Sequence, residues 1–165
     1  MVIATKSGER RFDPAAGLSR RYIIHQVEHS LRRLGTDYID VYYAHFPDPT
    51  PRWSRPSWFT TIWCGQGKLR HVALSNHPAW QVTQALWIAD DRHLAAAPVC
   101  AQVKYNLIDR AGEDELAPAS QQFGLSIVPL ARWMAGCWPA CRSRNGSSPV
   151  TGDSPVTGDW WVRVH

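Results

Sequence analysis

The stretch LGTDYIDVYYAH, residues 34–45, constrains this chain more than any other. Gly35 stands where a helix C-terminus calls for a left-handed residue. Residues 38–44 are dense in β-branched and aromatic side chains, as strands are. A helix, a tight turn and a strand therefore follow one another, and the strand delivers His45 at its end. In parallel β/α proteins, chemistry collects at the carboxyl ends of strands. One short stretch thus predicts both a fold class and a site.

The same arrangement recurs along the chain. Residues 2–5 read as a strand with Lys6 at its end. Ser19 is a good N-cap. After it Ile23, Ile24, Val27, Leu31 and Leu34 recur at helical spacing, which predicts an amphipathic helix over 19–34. Pro47, Pro49 and Pro51 force a loop. Residues 72–74 form a brief strand that ends in Ser75 and Asn76. Pro78 suits the first turn of a helix that Val82, Leu86 and Ala89 carry to Asp91. Residues 98–103 make another strand, with Gln102 near its end. Leu116, Ala119 and Phe123 give one more helical face, closed by Gly124, and residues 125–130 a last apolar strand. Repeated strand–helix alternation predicts right-handed βαβ units around a parallel sheet. Lys6, His45, Ser75, Asn76 and Gln102 all fall at or near strand ends. In a parallel barrel those ends share one rim.

Bulk properties narrow the function classes. The chain has 165 residues, enough for one domain with a real core. A closed eight-stranded β/α barrel usually takes about 250 residues. The net charge of +4 is mild and dispersed, with Arg20, Arg21, Arg32 and Arg33 flanking one predicted helix. A nucleic-acid footprint would need a denser patch, so no nucleic-acid partner is expected. No apolar run approaches the ~18 residues of a membrane span. The N-terminus lacks the order of a signal peptide. Cys64, Cys100, Cys137 and Cys141 form no C-x-x-C and no paired zinc spacing, so no metal site is expected. The expected setting is a reduced, cytoplasmic one.

Four segments together resemble an aldo-keto reductase. They are VIATK at 2–6, LSRRYIIHQVEHSLRRLGTDYIDVYYAH at 18–45, GKLRHVALSNH at 67–77 and QVKYNLIDR at 102–110. The resemblance is closest to the branch of aryl-alcohol-dehydrogenase-like enzymes and potassium-channel β subunits, and runs over residues 2–129 in family order. It implies a (β/α)8 TIM barrel that binds NADP(H) in extended form without a Rossmann glycine loop. The sequence indeed lacks G-x-G-x-x-G. It also implies reduction of small aldehydes or ketones through a tetrad of aspartate, tyrosine, lysine and histidine. Lys6 falls on the tetrad lysine and His45 on the tetrad histidine. Ser75, Asn76 and Gln102 match residues that hold the nicotinamide carboxamide. A lysine beside a tyrosine lowers the phenol pKa from its usual value near 10, and the histidine orients the carbonyl. Taken alone, Lys6 also fits a surface lysine and His45 a satisfied strand-end histidine. Ser75 and Asn76 also fit a cap for the following helix, and Gln102 a partner for backbone. Tyr22, Tyr42, Tyr43 and Tyr105 are expected to pack within the layers.

In the family the tetrad aspartate and tyrosine precede the lysine strand, so neither role falls on a residue of this sequence. The expectation is a partial barrel of about five βα units over residues 1–130, followed by an irregular, disordered tail over 131–165, with little or no turnover. Two alternatives stay open: a non-catalytic nucleotide-binding or regulatory module, and a degraded gene product without function. Residues 52–65, RWSRPSWFTTIWCG, replace an expected amphipathic helix, and RWMAGCWPA at 132–140 replaces the family loop S-P-L-x-G-G-L-L-x-G. Seven tryptophans (53, 58, 63, 133, 138, 160 and 161) lie in or after these stretches. Joining the third base of each codon to the next two turns 132–140 into a string that permits L-D-G-G-L-L-A-G. The same shift permits A-V-V-E-T-L-V-V-H-D-D-L-V-R over 52–65. These stretches are therefore expected to be frameshifted, and codons that fail to yield the two strings would sink the idea. The tail repeats SPVTGD at 148–153 and 154–159, too few copies for a repeat fold.

Overall fold

A computed structural model describes residues 2–8, 17–48, 64, 66–94, 96–130 and 162–164. The strands are β1 (Val2–Ser7), β2 (Ile39–Ala44), β3 (Leu69–Ser75), β4 (Pro98–Lys104), β5 (Ser126–Leu130) and β6 (Val162–Val164). The helices are α1 (Arg20–Leu34), α2 (Ala79–Asp91) and α3 (Leu116–Phe123), with a 3₁₀ turn at Ala111–Glu113. Strands β1 to β5 pair in sequence order, each parallel to the next. With helices between them they form a partial (β/α)8 barrel, the fold class expected from the sequence.

Local signals set α1. Ser19 is extended and accepts a hydrogen bond from the Tyr22 N–H. Gly35 takes the left-handed conformation (φ 63°, ψ 36°). The Gly35 N–H donates to the Arg32 carbonyl and the Thr36 N–H to the Leu31 carbonyl, the paired bonds of a Schellman ending. Arg32 and Arg33 place positive charge on the last turn, where the helix dipole favours it. Ile23, Val27 and Leu31 form one stripe and pack on Ile39, Tyr42, Leu69 and Val72. Each fully buried aliphatic side chain there contributes about 1.5–3 kcal/mol.

A second cluster joins Ala44, Leu74 and Ala101 to Val82 and Ala85 of α2 and Leu116 of α3. The opposite, concave face of the sheet carries Ala4, Val41, Tyr43, Ala73, Cys100 and Val128. Strand side chains alternate between the faces. Lys6, His45, Ser75 and Gln102 are each two positions beyond a concave-face residue, so they fall on that face.

Several boundaries differ from those expected. Strand β3 begins at Leu69 rather than at 72, because exposed Arg70 and His71 interrupt its apolar run. Pro78 is the N-cap of α2 rather than a member of its first turn. Within the segment expected to be an irregular tail, Val162–Val164 pairs antiparallel with β1. Residues 131–161, and 52–65 apart from Cys64, on which the frameshift expectation falls, lie outside the described residues. No helix among the described residues is long and apolar enough to cross a membrane, and none of their side chains group as a metal cluster.

Candidate active site at the strand ends

The parallel register brings the candidate residues together. Lys6 lies opposite Tyr43, and Ser7 opposite Ala44, which leaves His45 one step beyond β2. A register shift between Val72 and Ala73 brings Ser75 opposite Gln102. All five candidates therefore stand at the carboxyl ends of β1 to β4.

Four hydrogen bonds close a circuit through these ends. The His45 N–H donates to the Ser7 carbonyl at 2.8 Å. Asn76 Nδ2 donates to the His45 carbonyl at 3.0 Å. The Asn76 N–H donates to the Gln102 carbonyl at 2.9 Å. Lys6 Nζ donates to Gln102 Oε1 at 2.7 Å, which returns the path to β1. Asn76 Nδ2 also donates to Ser75 Oγ at 3.1 Å. Carbonyl oxygens only accept, so the bond to His45 fixes which end of the Asn76 amide is nitrogen.

Asn76 adopts a left-handed backbone (φ 57°), which asparagine tolerates better than most residues. It leaves the strand direction at once and does not cap α2, whose N-cap Pro78 receives no side-chain bond. Ser75 is fully buried beneath it. Gln102 is also buried and does not serve as a side-chain partner for backbone. Among the described residues, Asn76 Oδ1 and Gln102 Nε2 carry no intramolecular hydrogen bond. The rim thus offers one acceptor on Asn76 and one donor on Gln102.

Electrostatics follow from burial. The His45 imidazole is pushed down to about 4, first by burial and then by the Lys6 charge, so it is neutral at pH 7. Its ring lies 4.4 Å from that of Phe46. Burial also lowers the Lys6 ammonium. The neighbouring His77 is pushed down to about 4 by burial, while its Nδ1 pairs with the Ser75 carbonyl at 2.7 Å.

Two site neighbours were not singled out by the sequence. Tyr43 lies under Lys6, with Nζ 5.9 Å from its ring centre. Its hydroxyl pairs with Cys100 Sγ at 3.3 Å, and burial raises its pKa, as does the thiol. Gly8 packs against Leu18 and the His45 backbone in a conformation (φ 101°) that side chains rarely adopt. Its place directly after the Lys6 strand was the only available hint. A cleft of about 330 Å³ lined by His77, Pro78, Val103, Lys104 and Leu116, among others, includes none of the five candidates.

The sequence model of the Aldo/keto reductase family matches residues 1–149. The chain belongs to the aldo/keto reductase family. The match extends beyond residues 2–129, the span of the resemblance read from the sequence. An uncharacterized oxidoreductase of Bacillus subtilis is 33% identical over 145 residues, 82% of this chain and 44% of that protein. A Saccharomyces cerevisiae protein named "Probable aryl-alcohol dehydrogenase" is 30% identical over 138 residues, 78% of this chain and 42% of that protein. An Oryza sativa protein named "Probable voltage-gated potassium channel subunit beta" is 34% identical over 119 residues, 70% of this chain and 36% of that protein. The branch expected from the sequence is the one these relatives represent. This aldo/keto reductase chain spans less than half the length of each.

Proposed function

We propose that this chain carries the nicotinamide- and carbonyl-facing part of an NADP(H)-linked oxidoreductase acting on small aldehydes or ketones. The observation that carries the reading is the hydrogen-bonded circuit through Lys6, Ser7, His45, Asn76 and Gln102 at one rim. Asn76 Oδ1, an acceptor, and Gln102 Nε2, a donor, match the N–H and C=O of a primary carboxamide, the group a nicotinamide presents. Ser75 supports Asn76 from beneath. The nicotinamide, when bound, supplies or accepts hydride at the carbonyl carbon.

The protein's own residues orient and polarise. Neutral His45 can donate one ring N–H to a carbonyl oxygen without the cost of a buried charge. The half-buried Lys6 ammonium holds positive charge where an alkoxide would develop, and a low-dielectric rim strengthens that effect.

Proton supply is the weak step. The tyrosine ring beneath Lys6 is Tyr43, whose hydroxyl is engaged by Cys100 and whose pKa is raised rather than lowered. A phenol so placed is a poor general acid at neutral pH, and loss of general acid catalysis costs on the order of 10²–10⁴ in rate. This favours a chain that binds the dinucleotide with slow turnover or none. Titration of the intact chain with NADPH, read by tryptophan fluorescence, followed by an aldehyde assay on the same sample, tests both halves. Saturable quenching with slow NADPH oxidation is expected. Absence of saturable quenching would refute the binding role, and rapid turnover would refute the assignment of a poor proton supply.

A further inference from the structure

Asn76 binds both neighbouring strands at the rim. Its backbone N–H reaches β4 at the Gln102 carbonyl, and its side chain reaches β2 at the His45 carbonyl. The left-handed φ of 57° makes this possible by turning the chain out of β3 directly after Ser75. Both amide hydrogens are spent within the protein, one on the His45 carbonyl and one on Ser75 Oγ. The His45 backbone is thereby held from both sides, with its N–H on Ser7 and its carbonyl on Asn76.

We infer that Asn76 is a positioning residue for His45: its side-chain amide fixes the His45 carbonyl and, through that backbone, the place of the imidazole on the rim. The residue then meets a ligand only through Oδ1, as an acceptor. The loss of that hydrogen bond removes the hold of Asn76 on the His45 backbone, which releases the segment carrying the ring rather than the sheet below it. The significance of a fixed imidazole rests on the carbonyl-facing role given to His45 above.

Two substitutions separate the side chain from the backbone. Asn76→Gly keeps the left-handed conformation at no steric cost and removes the amide. Asn76→Asp keeps the shape but turns an oxygen toward the His45 carbonyl. The readout is the His45 ring in NMR spectra of the full chain without cofactor or substrate. The Phe46 ring, 4.4 Å away, imposes a ring-current shift that reports position. Lys6 on β1 acts on this histidine through its charge. In both variants the His45 signals move toward those of exposed His25 and His29 on α1. In Asn76→Gly the His45 titration midpoint rises by about one unit or more as burial is relieved. In Asn76→Asp the new carboxylate charge raises it as well, so the midpoint is read from the glycine variant alone. His77, two residues beyond Ser75 and held by the Ser75 carbonyl, keeps its signals and serves as the internal reference. Unmoved His45 signals in both variants, or His77 moving as far as His45, would overturn the inference. Because no ligand is present, these spectra fail or succeed apart from the NADPH titration that tests the proposed function.

Discussion

Lys6 Nζ donates to Gln102 Oε1 across 2.7 Å, although the two residues stand 96 positions apart in the chain. The bond spans the concave face from β1 to β4 and gives a half-buried ammonium its acceptor. Gln102→Leu fills the space but leaves that charge without its acceptor. We expect the variant to lose about 1–3 kcal/mol of stability, the cost of a charged or polar group stripped of its bond. Gln102→Glu restores an acceptor and should recover most of the loss. Urea unfolding of the two variants beside the parent chain decides it; equal midpoints for all three would remove the bond from any structural role.

Stability should fall in mild acid. His45 and His77 both have folded-state values of about 4, below the 6.5 of an exposed imidazole. Between those limits the unfolded chain binds more protons than the folded one, so stability rises with pH there. The contribution is complete above about pH 6.5, is lost as pH falls toward 4, and levels off below that. Lys6→Met removes the smaller of the two causes acting on His45, so its midpoint rises yet stays below 6.5. NMR titration gives the midpoints, and urea midpoints from pH 7 to pH 4 give the slope. A flat stability profile across that range would contradict the buried, neutral state of both rings.

The parts of the fold that were legible in the sequence rest on local physics. Ser19 and Gly35 bound α1 because a cap oxygen and a left-handed glycine act within one turn. Ile23, Val27 and Leu31 were readable because helical spacing places them on one face. The rim was legible as a set of strand ends, since parallel register brings such ends together. What each rim residue does there was not legible. Ser75 and Asn76 carry the composition of a helix cap, and only the three-dimensional path shows the Asn76 amide turned to His45, 31 positions away. The Tyr43–Cys100 contact joins residues 57 positions apart and leaves no trace in either local pattern. The start of β3 was hidden because the exposed Arg70 and His71 break its hydrophobic run.

Tyr43→Phe separates packing from proton supply. The ring under Lys6 stays, while the hydroxyl that meets Cys100 is removed. A neutral hydrogen bond of this kind contributes about 0.5–1.5 kcal/mol, so a small drop in stability is expected. NADPH affinity and any residual aldehyde reduction should be unchanged, because the raised phenol pKa keeps this hydroxyl from acting as an acid. A tenfold or greater loss of reduction with intact NADPH binding would instead make Tyr43 the donor.

At the opposite end of the sheet, Asp40 holds two strands to its own. One carboxylate oxygen accepts from the Ile3 N–H of β1 at 2.8 Å, and the other pairs with Arg70 of β3 at 2.9 Å. Arg70 is largely exposed and its guanidinium lies over Tyr38, 4.1 Å from the ring centre, so the ion pair itself contributes little. The Ile3 bond matters more, because the Asp40 side chain is buried. Asp40→Ala should cost about 1–3 kcal/mol, and Arg70→Ala less than half of that. Thermal or urea unfolding ranks them; a larger loss from Arg70→Ala would place the stabilisation in the ion pair.

Gly8 offers the sharpest steric test of how the rim is held. A Cβ there would stand 3.0 Å from Leu18 Cδ2 and 3.8 Å from the His45 nitrogen. The backbone at φ 101° also lies where a side chain is strained whatever the space. Gly8 directly follows Ser7, whose carbonyl accepts the His45 N–H, so strain at Gly8 acts on the bond that seats His45. Gly8→Ala should therefore cost about 1–3 kcal/mol and disturb the His45 ring signals. The close contact is with the far end of a flexible leucine, which can turn away, whereas the backbone strain has no such escape. Adding Leu18→Ala to Gly8→Ala should consequently recover less than half of the loss, after subtraction of what Leu18→Ala costs alone. Recovery of nearly all of it would assign the requirement for glycine to space rather than to conformation.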